Sequence, residues 1–147
     1  MKIFNKEIEK FSSKTYDFID LSEEIIAIAK ESQIKNGLIN IQSLHTSAAV
    51  LCNENEPLLL DDFRRNLEMT AEKAGKYQHD NLAVRTVNIC AGECINGHAH
   101  CKAIHLPTSI TLNLIEGQIS FGQWQRIFLL ELDQARPRRV QIMIIGE

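Results

Sequence analysis

The sequence predicts a single α+β domain, mainly an antiparallel β-sheet with two main helices. Three observations predict this class. The chain has 147 residues, about the length of one domain. Its 44% of hydrophobic and 24% of charged residues are typical of a folded globular protein. Two amphipathic stretches alternate with short apolar runs, and no repeat or linker separates them, so we expect one core over residues 1–147.

The first part of the chain is expected to hold two strands with a helix between them. Ile3–Phe11 alternates loosely between apolar and charged residues, which predicts an opening strand. Asp20 and Glu23 have the spacing of a capping box, in which Asp20 accepts from the amide three residues on. Apolar residues at helical spacing follow as far as Gly37, and the β-branched run Leu38–Cys52 predicts one long strand.

The second helix is predicted by a proline and a series of leucines. Pro57 stands where a first-turn proline belongs, and leucines recur every three to four residues until Gly75 ends the pattern. The polar stretch 76–81 is then expected to be a loop.

From Ile89 onward the pattern predicts a β-meander of short strands. Glycine in the stretch Ile115–Gln118 suits a hairpin turn, and Gln134–Pro137 suits a second connection. The predicted strands are His98–Ile104, Ser109–Ile115, Gln118–Phe121, Arg126–Asp133 and Arg138–Ile145.

Composition limits the classes of partner. A net charge of -3 and a pI near 6.0 predict no general attraction to nucleic acid or to anionic membranes. No run of eighteen apolar residues occurs, and the first residues, MKIFNKEIEKF, lack the unbroken apolar stretch of a signal peptide. We therefore expect a cytoplasmic protein whose four cysteines remain thiols.

Histidines are concentrated in the stretch INGHAHCKAIHL, residues 95–106, which holds three of the five in the chain. On a strand, His98, His100 and Lys102 would share one face, and His105 would lie on the other. Two imidazoles at this spacing can converge on one metal ion, although the same pattern often has only a structural role. A zinc site built from Cys90, Cys94, His98 and Cys101 is an alternative, at an unfamiliar spacing.

The other two histidines stand alone in the sequence, a setting in which histidine is usually structural. His45 is followed by the hydroxyl residues Thr46 and Ser47, and His79 is followed by Asp80. Such neighbours can fix the tautomer of an imidazole, as the groups behind metal ligands do. Both histidines are therefore candidates for a site.

Several motifs, in order and spacing, together resemble the YjbQ family, also called the secondary thiamine-phosphate synthase family. The resemblance extends from the first strand nearly to the C-terminus. The motifs are HTSAAV at 45–50, NENE at 53–56, DDF at 61–63, GHAHCKA at 97–103, FGQWQRIFLLELD at 121–133, and RPRRV at 136–140 before the final GE.

The resemblance implies a YjbQ-like α+β fold, a homotrimer, a histidine-based metal or ligand site, and weak thiamine-phosphate synthase activity. Matched position by position, His45, His79 and His100 are the implied metal ligands, with His98 as an accessory ligand. Imidazole ligands favour a zinc-like divalent ion, and magnesium is also possible. The implied substrate-binding residues include Asn53 and Asn55 of the NENE motif and the pair Trp124 and Gln125.

Two departures from the family pattern lie near the implied site. Where the family usually has leucine, leucine, glycine, proline and serine after the histidine motif, this chain has Ile104, His105, Leu106, Pro107 and Thr108. Gln123 also replaces the threonine that usually precedes Trp124. Both departures concern residues that would influence substrate preference.

The implied reaction joins two phosphorylated molecules. The thiazole nitrogen attacks the pyrimidine methylene and displaces pyrophosphate, so binding and charge stabilisation dominate catalysis. We expect the ion to act as a Lewis acid, and Lys102 or arginines such as Arg139 to contact phosphate. The hypothesis assigns catalysis to Glu54, His100 and Lys102 and substrate binding to Thr46, Ser47, Asn53, Asn55, Trp124, Gln125 and Arg139, with Arg136 and Arg138 as further candidates for phosphate contact.

Two other functions are compatible with the same residues. A zinc-activated water with Glu54 as general base would make the protein a hydrolase. A trimeric module that binds a metabolite or metal without catalysis is the other alternative.

Overall fold

The computed structural model describes residues 1–147 and confirms the predicted α+β class, with two antiparallel sheets and three helices. The strands are β1 Lys2–Phe11, β2 Phe18–Asp20, β3 Gly37–Ser43, β4 Ala48–Glu54, β5 Ser109–Ile115, β6 Gln118–Ile119, β7 Gln125–Glu131 and β8 Pro137–Gly146. The helices are α1 Ser22–Glu31, α2 Pro57–Thr70 and α3 Gly97–Ala103, and a single 3-10 turn covers Gln78–Asp80. None of the helices combines the length and the hydropathy needed to cross a bilayer.

The strands form a five-stranded sheet in the order β1-β8-β3-β5-β6 and a three-stranded sheet in the order β2-β7-β4. The predicted meander is therefore wrong, because β5 and β6 are the only sequence neighbours that pair. Their hairpin turn is as predicted, since Glu116 and Gly117 both have positive φ. The connection Gln134–Pro137 leads from one sheet to the other and does not form a hairpin.

The three-stranded sheet is buried on both faces, as the alternation along β7 demonstrates. Ile127 and Leu129 belong to the main core with α1 and the inner face of the five-stranded sheet. Leu130 points the opposite way and packs with Leu67 of α2 and Ala99 of α3. This second cluster holds α2 and α3 against the face of the three-stranded sheet that points away from the main core, and so positions α3 for the site.

The predicted helices exist, with different ends. The N-cap of α1 is Leu21, and Asp20 Oδ1 accepts from the amide of Ser22 at 2.9 Å and not from that of Glu23, so the predicted capping box does not form. Helix α2 ends at Thr70, before Gly75, because Ala71 takes an extended conformation. At its start, Glu56 accepts from the first free amides of the helix.

The predicted strand Leu38–Cys52 is in fact two strands in different sheets. The chain leaves β3 after Ser43 and enters β4 at Ala48. Backbone bonds join the link to both sheets: Leu44 donates to Arg139 and Leu132 donates to Ser47. The crossing places His45 at the boundary between the sheets.

The largest error in secondary structure concerns His98–Ile104, which is helical and not a strand. Asp80 Oδ1 accepts from the amides of Asn96 at 3.0 Å and Gly97 at 2.8 Å, and so caps α3 from a distant segment. Ala99 is fully buried against Leu67, which fixes the direction of the helix.

Gly97 allows α3 to lie close to the 3-10 turn, and we expect Gly97→Ala to destabilise the protein. An added Cβ would lie 2.4 Å from Tyr77 Cβ, so one of the two segments must move, at a cost of about 1–3 kcal/mol. Urea denaturation would measure this change. Gly122→Ala is the control, since its Cβ would meet only the flexible Gln125 side chain. Equal stability of the two variants would contradict this role of Gly97.

Candidate functional site

Three histidines from separate segments line one cleft of about 700 Å³. His45 comes from the link between β3 and β4, His79 from the 3-10 turn, and His100 from α3. The resemblance selected these three, and the structure brings them to the same opening. Other lining residues that the site uses are Thr46, Ser47, Arg85, Glu93, Asn96, Arg136 and Arg138.

His79 and His100 form an imidazole pair, with ring centroids 4.6 Å apart. The Thr46 backbone favours the protonated form of the His100 ring, which partly offsets the lowering of its pKa by burial. Nδ1 of His79 is buried without a hydrogen-bond partner and lies 3.5 Å from Asp80 Oδ1. Asp80 therefore helps to position both rings, because it lies beside His79 and also caps α3, the helix that carries His100.

His45 lies in the same cleft, but one of its nitrogens is already occupied. Its Nε2 accepts the backbone N–H of Arg139 at 2.8 Å, which holds the ring against β8. No group of three or more His, Cys, Asp or Glu side chains is arranged to hold a metal ion. The three imidazoles are therefore not a ready metal centre within one chain, and the divalent ion stays a prediction.

Three histidines, His45, His98 and His100, have a lowered pKa that favours the neutral imidazole. Burial is the main cause that lowers the pKa of His45, His98 and His100. Arg138 lowers the pKa of His45 further, and Lys102 does the same for His98. Neutral imidazoles at pH 7 can accept hydrogen bonds or bind metal.

The lowered pKa values predict a loss of stability in mild acid. The unfolded chain takes up these protons near pH 6.5, whereas the folded chain binds them only at lower pH. The stabilising contribution is therefore complete above about pH 6.5 and is lost as the pH falls below that value. Urea denaturation at pH 7.5 and 5.5 should give a lower free energy of unfolding at pH 5.5. The control is the variant His105→Gln, which removes an exposed histidine. A flat profile would contradict the assignment.

A buried ion pair forms part of the cleft wall. Arg138 donates from Nε and Nη2 to both carboxylate oxygens of Glu131, and from Nη2 to Ser47 Oγ at 3.1 Å. Ser12 Oγ donates to Glu131 Oε2 at 2.8 Å. Arg138 is 4% exposed and Glu131 is fully buried, so their charges compensate each other and are not available to a ligand.

Arg85 is likewise committed within the protein. Its guanidinium donates to Glu93 Oε1 at 2.8 Å and to backbone carbonyl oxygens, including those of Val87 and Asn88. These bonds fix the loop before α3. Most of the positive charge in the cleft wall is therefore neutralised by protein groups.

Sequence reasoning missed Asp133 and Asn96, which lie behind the imidazole pair. Asp133 Oδ2 accepts from Asn96 Nδ2 at 3.1 Å and forms a salt bridge with Arg136 Nη2 at 2.7 Å. One signal was available, since Glu131 and Asp133 are acidic residues at the end of the apolar run IFLLELD. A charge in such a run indicates a buried partner.

His98 and Lys102 do not line the cleft, because both side chains lie on the side of α3 opposite His100, and their predicted roles stay predictions. Lys102 is fully buried, donates to the carbonyl of Ala71 and lies 3.2 Å from His98 Nδ1. On a helix, positions four apart share a face, so His98 pairs with Lys102 and not with His100. Lys102 thus connects α3 to the end of α2 and has no access to the cleft.

The predicted residues of the NENE and Trp-Gln motifs lie in a different groove. Asn53, Glu54, Trp124 and Gln125 line an opening of about 370 Å³ at the end of β4. Strand β4 has seven residues, which places Glu54 roughly 20 Å from the histidine end of the strand. Within one chain, Glu54 therefore cannot act as a base beside His100, and the proposed role of these residues at the histidines is not supported.

Two further predicted residues also lie away from the cleft. The side chain of Asn55 donates to Asp20 Oδ2 at 3.1 Å. The side chain of Arg139 pairs with Glu7 at 3.4 Å and is 57% exposed, while only its backbone reaches His45. Thr46 and Ser47 remain as predicted residues that line the cleft together with His45, His79 and His100.

The cysteine alternative finds no support in the structure. All four cysteines are free, and His98 is turned toward Lys102. Cys94 Sγ instead accepts from Gln134 Nε2 at 3.3 Å.

The fold and cleft define a class of protein: a two-sheet α+β domain in which an imidazole pair opens onto a polar cleft between the sheets and a short helix. The chain belongs to the YjbQ-like UPF0047 family, whose model matches residues 6–147.

Individual relatives agree with this assignment. The chain is 31% identical over 147 residues to a UPF0047 protein of Methanothermobacter thermautotrophicus, covering 100% of this chain and 95% of the relative. It is 30% identical to UPF0047 protein YjbQ of Escherichia coli O157:H7, covering 82% of this chain and 81% of that protein. A crystal structure of a YbjQ-like protein of unknown function from Sulfolobus solfataricus has a TM-score of 0.88 and 28% identity, covering 99% of both chains. These comparisons show the family of the chain.

Proposed function

We propose that the histidine cleft binds a small phosphorylated substrate and catalyses a slow thiamine-phosphate synthase reaction. The observation that carries the proposal is the meeting of His45, His79 and His100 in one cleft beside the hydroxyls of Thr46 and Ser47. The volume of about 700 Å³ is in the usual range for small-molecule sites.

In this reaction the C–O bond between the pyrimidine methylene and pyrophosphate breaks, and a C–N bond to the thiazole nitrogen forms. Pyrophosphate leaves with the bonding electron pair, so a catalyst must position the two molecules and stabilise the leaving anion. Hydroxyl donors of Thr46 and Ser47 and the His79 ring are suited to contact the pyrophosphate oxygens. The His100 ring lines the same cleft, and burial lowers its pKa, so a neutral imidazole is suited to proton transfer to or from them.

The charge distribution supports a slow reaction. Arg138 and Arg85 are paired with Glu131 and Glu93, so few cationic groups remain to stabilise the leaving pyrophosphate. A divalent ion would supply such charge as a Lewis acid. Because the three imidazoles do not form a metal-ligand group within one chain, no step above depends on it.

The hydrolase alternative is not favoured, since its proposed base Glu54 lies at the far end of β4. A non-catalytic binding module is the competing hypothesis. The predicted homotrimer is compatible with both functions and stays a prediction.

Purified protein with pyrimidine pyrophosphate and thiazole phosphate tests the proposal. Thiamine phosphate and pyrophosphate would be measured without added metal, with zinc, and with magnesium. The proposal expects product above the level of a His100→Ala control. Tight substrate binding without product would favour the binding module, and neither binding nor product would reject both.

A further inference from the structure

The floor of the cleft contains an amide and a guanidinium beside one carboxylate oxygen. Asp133 Oδ2 accepts from Asn96 Nδ2 at 3.1 Å and forms a salt bridge with Arg136, whose Nη2 lies 2.7 Å away. Asp133 is 3% exposed and Asn96 is 8% exposed. The shared carboxylate oxygen places the two planar groups close together, and we call this trio the amide–guanidinium floor.

Each of the two groups leaves one buried polar atom unpaired. Asn96 Oδ1 and Arg136 Nε have no hydrogen-bond partner. The amide orientation is fixed, because only its NH₂ group can donate to the Asp133 carboxylate. Buried polar atoms are nearly always paired, and exceptions commonly mark functional sites or places filled by water.

A third unpaired atom belongs to the same region. His79 Nδ1 is also buried without a partner, and its neighbour Asp80 accepts from the backbone of Asn96. Three of the five unpaired buried side-chain atoms in the chain therefore belong to residues that line one cleft. This concentration points to a ligand and not to scattered defects of packing.

We propose that the amide–guanidinium floor binds the edge of an aminopyrimidine. A ring nitrogen of the ligand accepts from Arg136 Nε–H, and the adjacent exocyclic amine donates to Asn96 Oδ1. An aminopyrimidine presents this acceptor and donor side by side in one plane. The choice of a pyrimidine rests on the proposed synthase function, whereas the donor–acceptor pattern rests on the structure.

The charge of the floor favours a neutral edge over a phosphate. Asp133 already neutralises Arg136, and the Asn96 oxygen would repel an anion placed beside it. The free atoms offer one donor and one acceptor, not the several donors that a phosphate takes. Both atoms are buried, so the half-buried Arg136 side chain must shift to admit the ring.

Calorimetry with an unphosphorylated probe, 4-amino-5-hydroxymethyl-2-methylpyrimidine, tests the inference. The matched ligand is its 4-oxo analogue, in which the amine becomes an acceptor and the ring nitrogen becomes a donor. The amino compound is expected to bind roughly tenfold or more tightly than the 4-oxo analogue, because the analogue cannot form the same buried hydrogen bonds. Inorganic phosphate is the third ligand.

Arg136→Lys is the matched variant, because it keeps a charge for Asp133 but removes the Nε donor. It should weaken binding of the amino compound about tenfold. Arg65→Lys, on the exposed surface of α2, is the control and should leave binding unchanged. Thermal denaturation of both variants would confirm that they are folded.

Several outcomes would overturn the inference. These are absence of binding, equal affinity for the amino and oxo compounds, or an unchanged affinity in Arg136→Lys. Phosphate affinity that falls in Arg136→Lys while the two pyrimidines bind equally would identify an anion site instead. Pyrimidine binding without turnover would reject the synthase function but not the binding of the pyrimidine at the amide–guanidinium floor. Equal turnover by wild type and Arg136→Lys would reject the role of the floor but not the synthase function.

Discussion

Replacing Arg138 with leucine should lower the free energy of unfolding by about 3–5 kcal/mol, the largest effect on stability that we expect from a single exchange. The change leaves the Glu131 carboxylate fully buried without its bidentate partner. The partners that remain, Ser12 Oγ and the amide of Asp133, carry no charge. Urea denaturation with an unchanged m-value would measure the loss.

Two further variants separate the cost of an unpaired charge from the loss of packing. The double variant Arg138→Leu with Glu131→Leu removes both charges and should be more stable than Arg138→Leu alone. Arg126→Leu removes an arginine from an exposed pair with Glu23 and should cost no more than about 1 kcal/mol. If Arg138→Leu behaves like Arg126→Leu, the pair is not the buried connection described above.

The local sequence pattern predicted those helices and strands that are determined by the residues within them. The alternation of Ile39 and Ile41 identified β3, and Pro57 with its leucines identified α2. The pairing of β8 between β1 and β3 could not be read from these runs, because it depends on contacts between distant segments. This is why the two-sheet arrangement replaced the predicted meander.

The stretch around His100 illustrates how local pattern fails. Alternating His98, His100 and Lys102 imitates a strand, but capping by Asp80 and burial of Ala99 make the segment helical. Both causes depend on residues outside the stretch, namely Asp80 and the Leu67 side chain that packs on Ala99. The error changed the site, since period-two geometry paired His98 with His100 whereas the helix separates them.

The candidate site was only half predictable for the same reason. Motif resemblance identified His45, His79 and His100, but it also grouped them with Glu54 and Trp124 at the other end of β4. Similarity of sequence identifies motifs without stating which of them meet within a chain. Asn96 and Arg136 were missed as a pair because Asp133 joins them only after folding.

His100→Ala should lower the turnover of the proposed reaction by roughly 100-fold, within the usual range for a positioned proton-transfer group. The substitution removes a ring that lines the cleft, and with it one member of the pair with His79. Measurement of kcat and KM separates this role from simple binding, because loss of a group that acts in the transition state lowers kcat.

His105→Ala is the matched control, since this histidine is exposed just beyond α3 and does not line the cleft. It should retain the turnover of the unmodified protein. Similar losses in both variants would indicate general damage to the segment, and unchanged turnover in His100→Ala would remove the catalytic role of the imidazole pair. Because His100 is less than fully buried and α3 is anchored through Asp80 and Ala99, we expect the alanine variant to remain folded, so that lost turnover reports on chemistry.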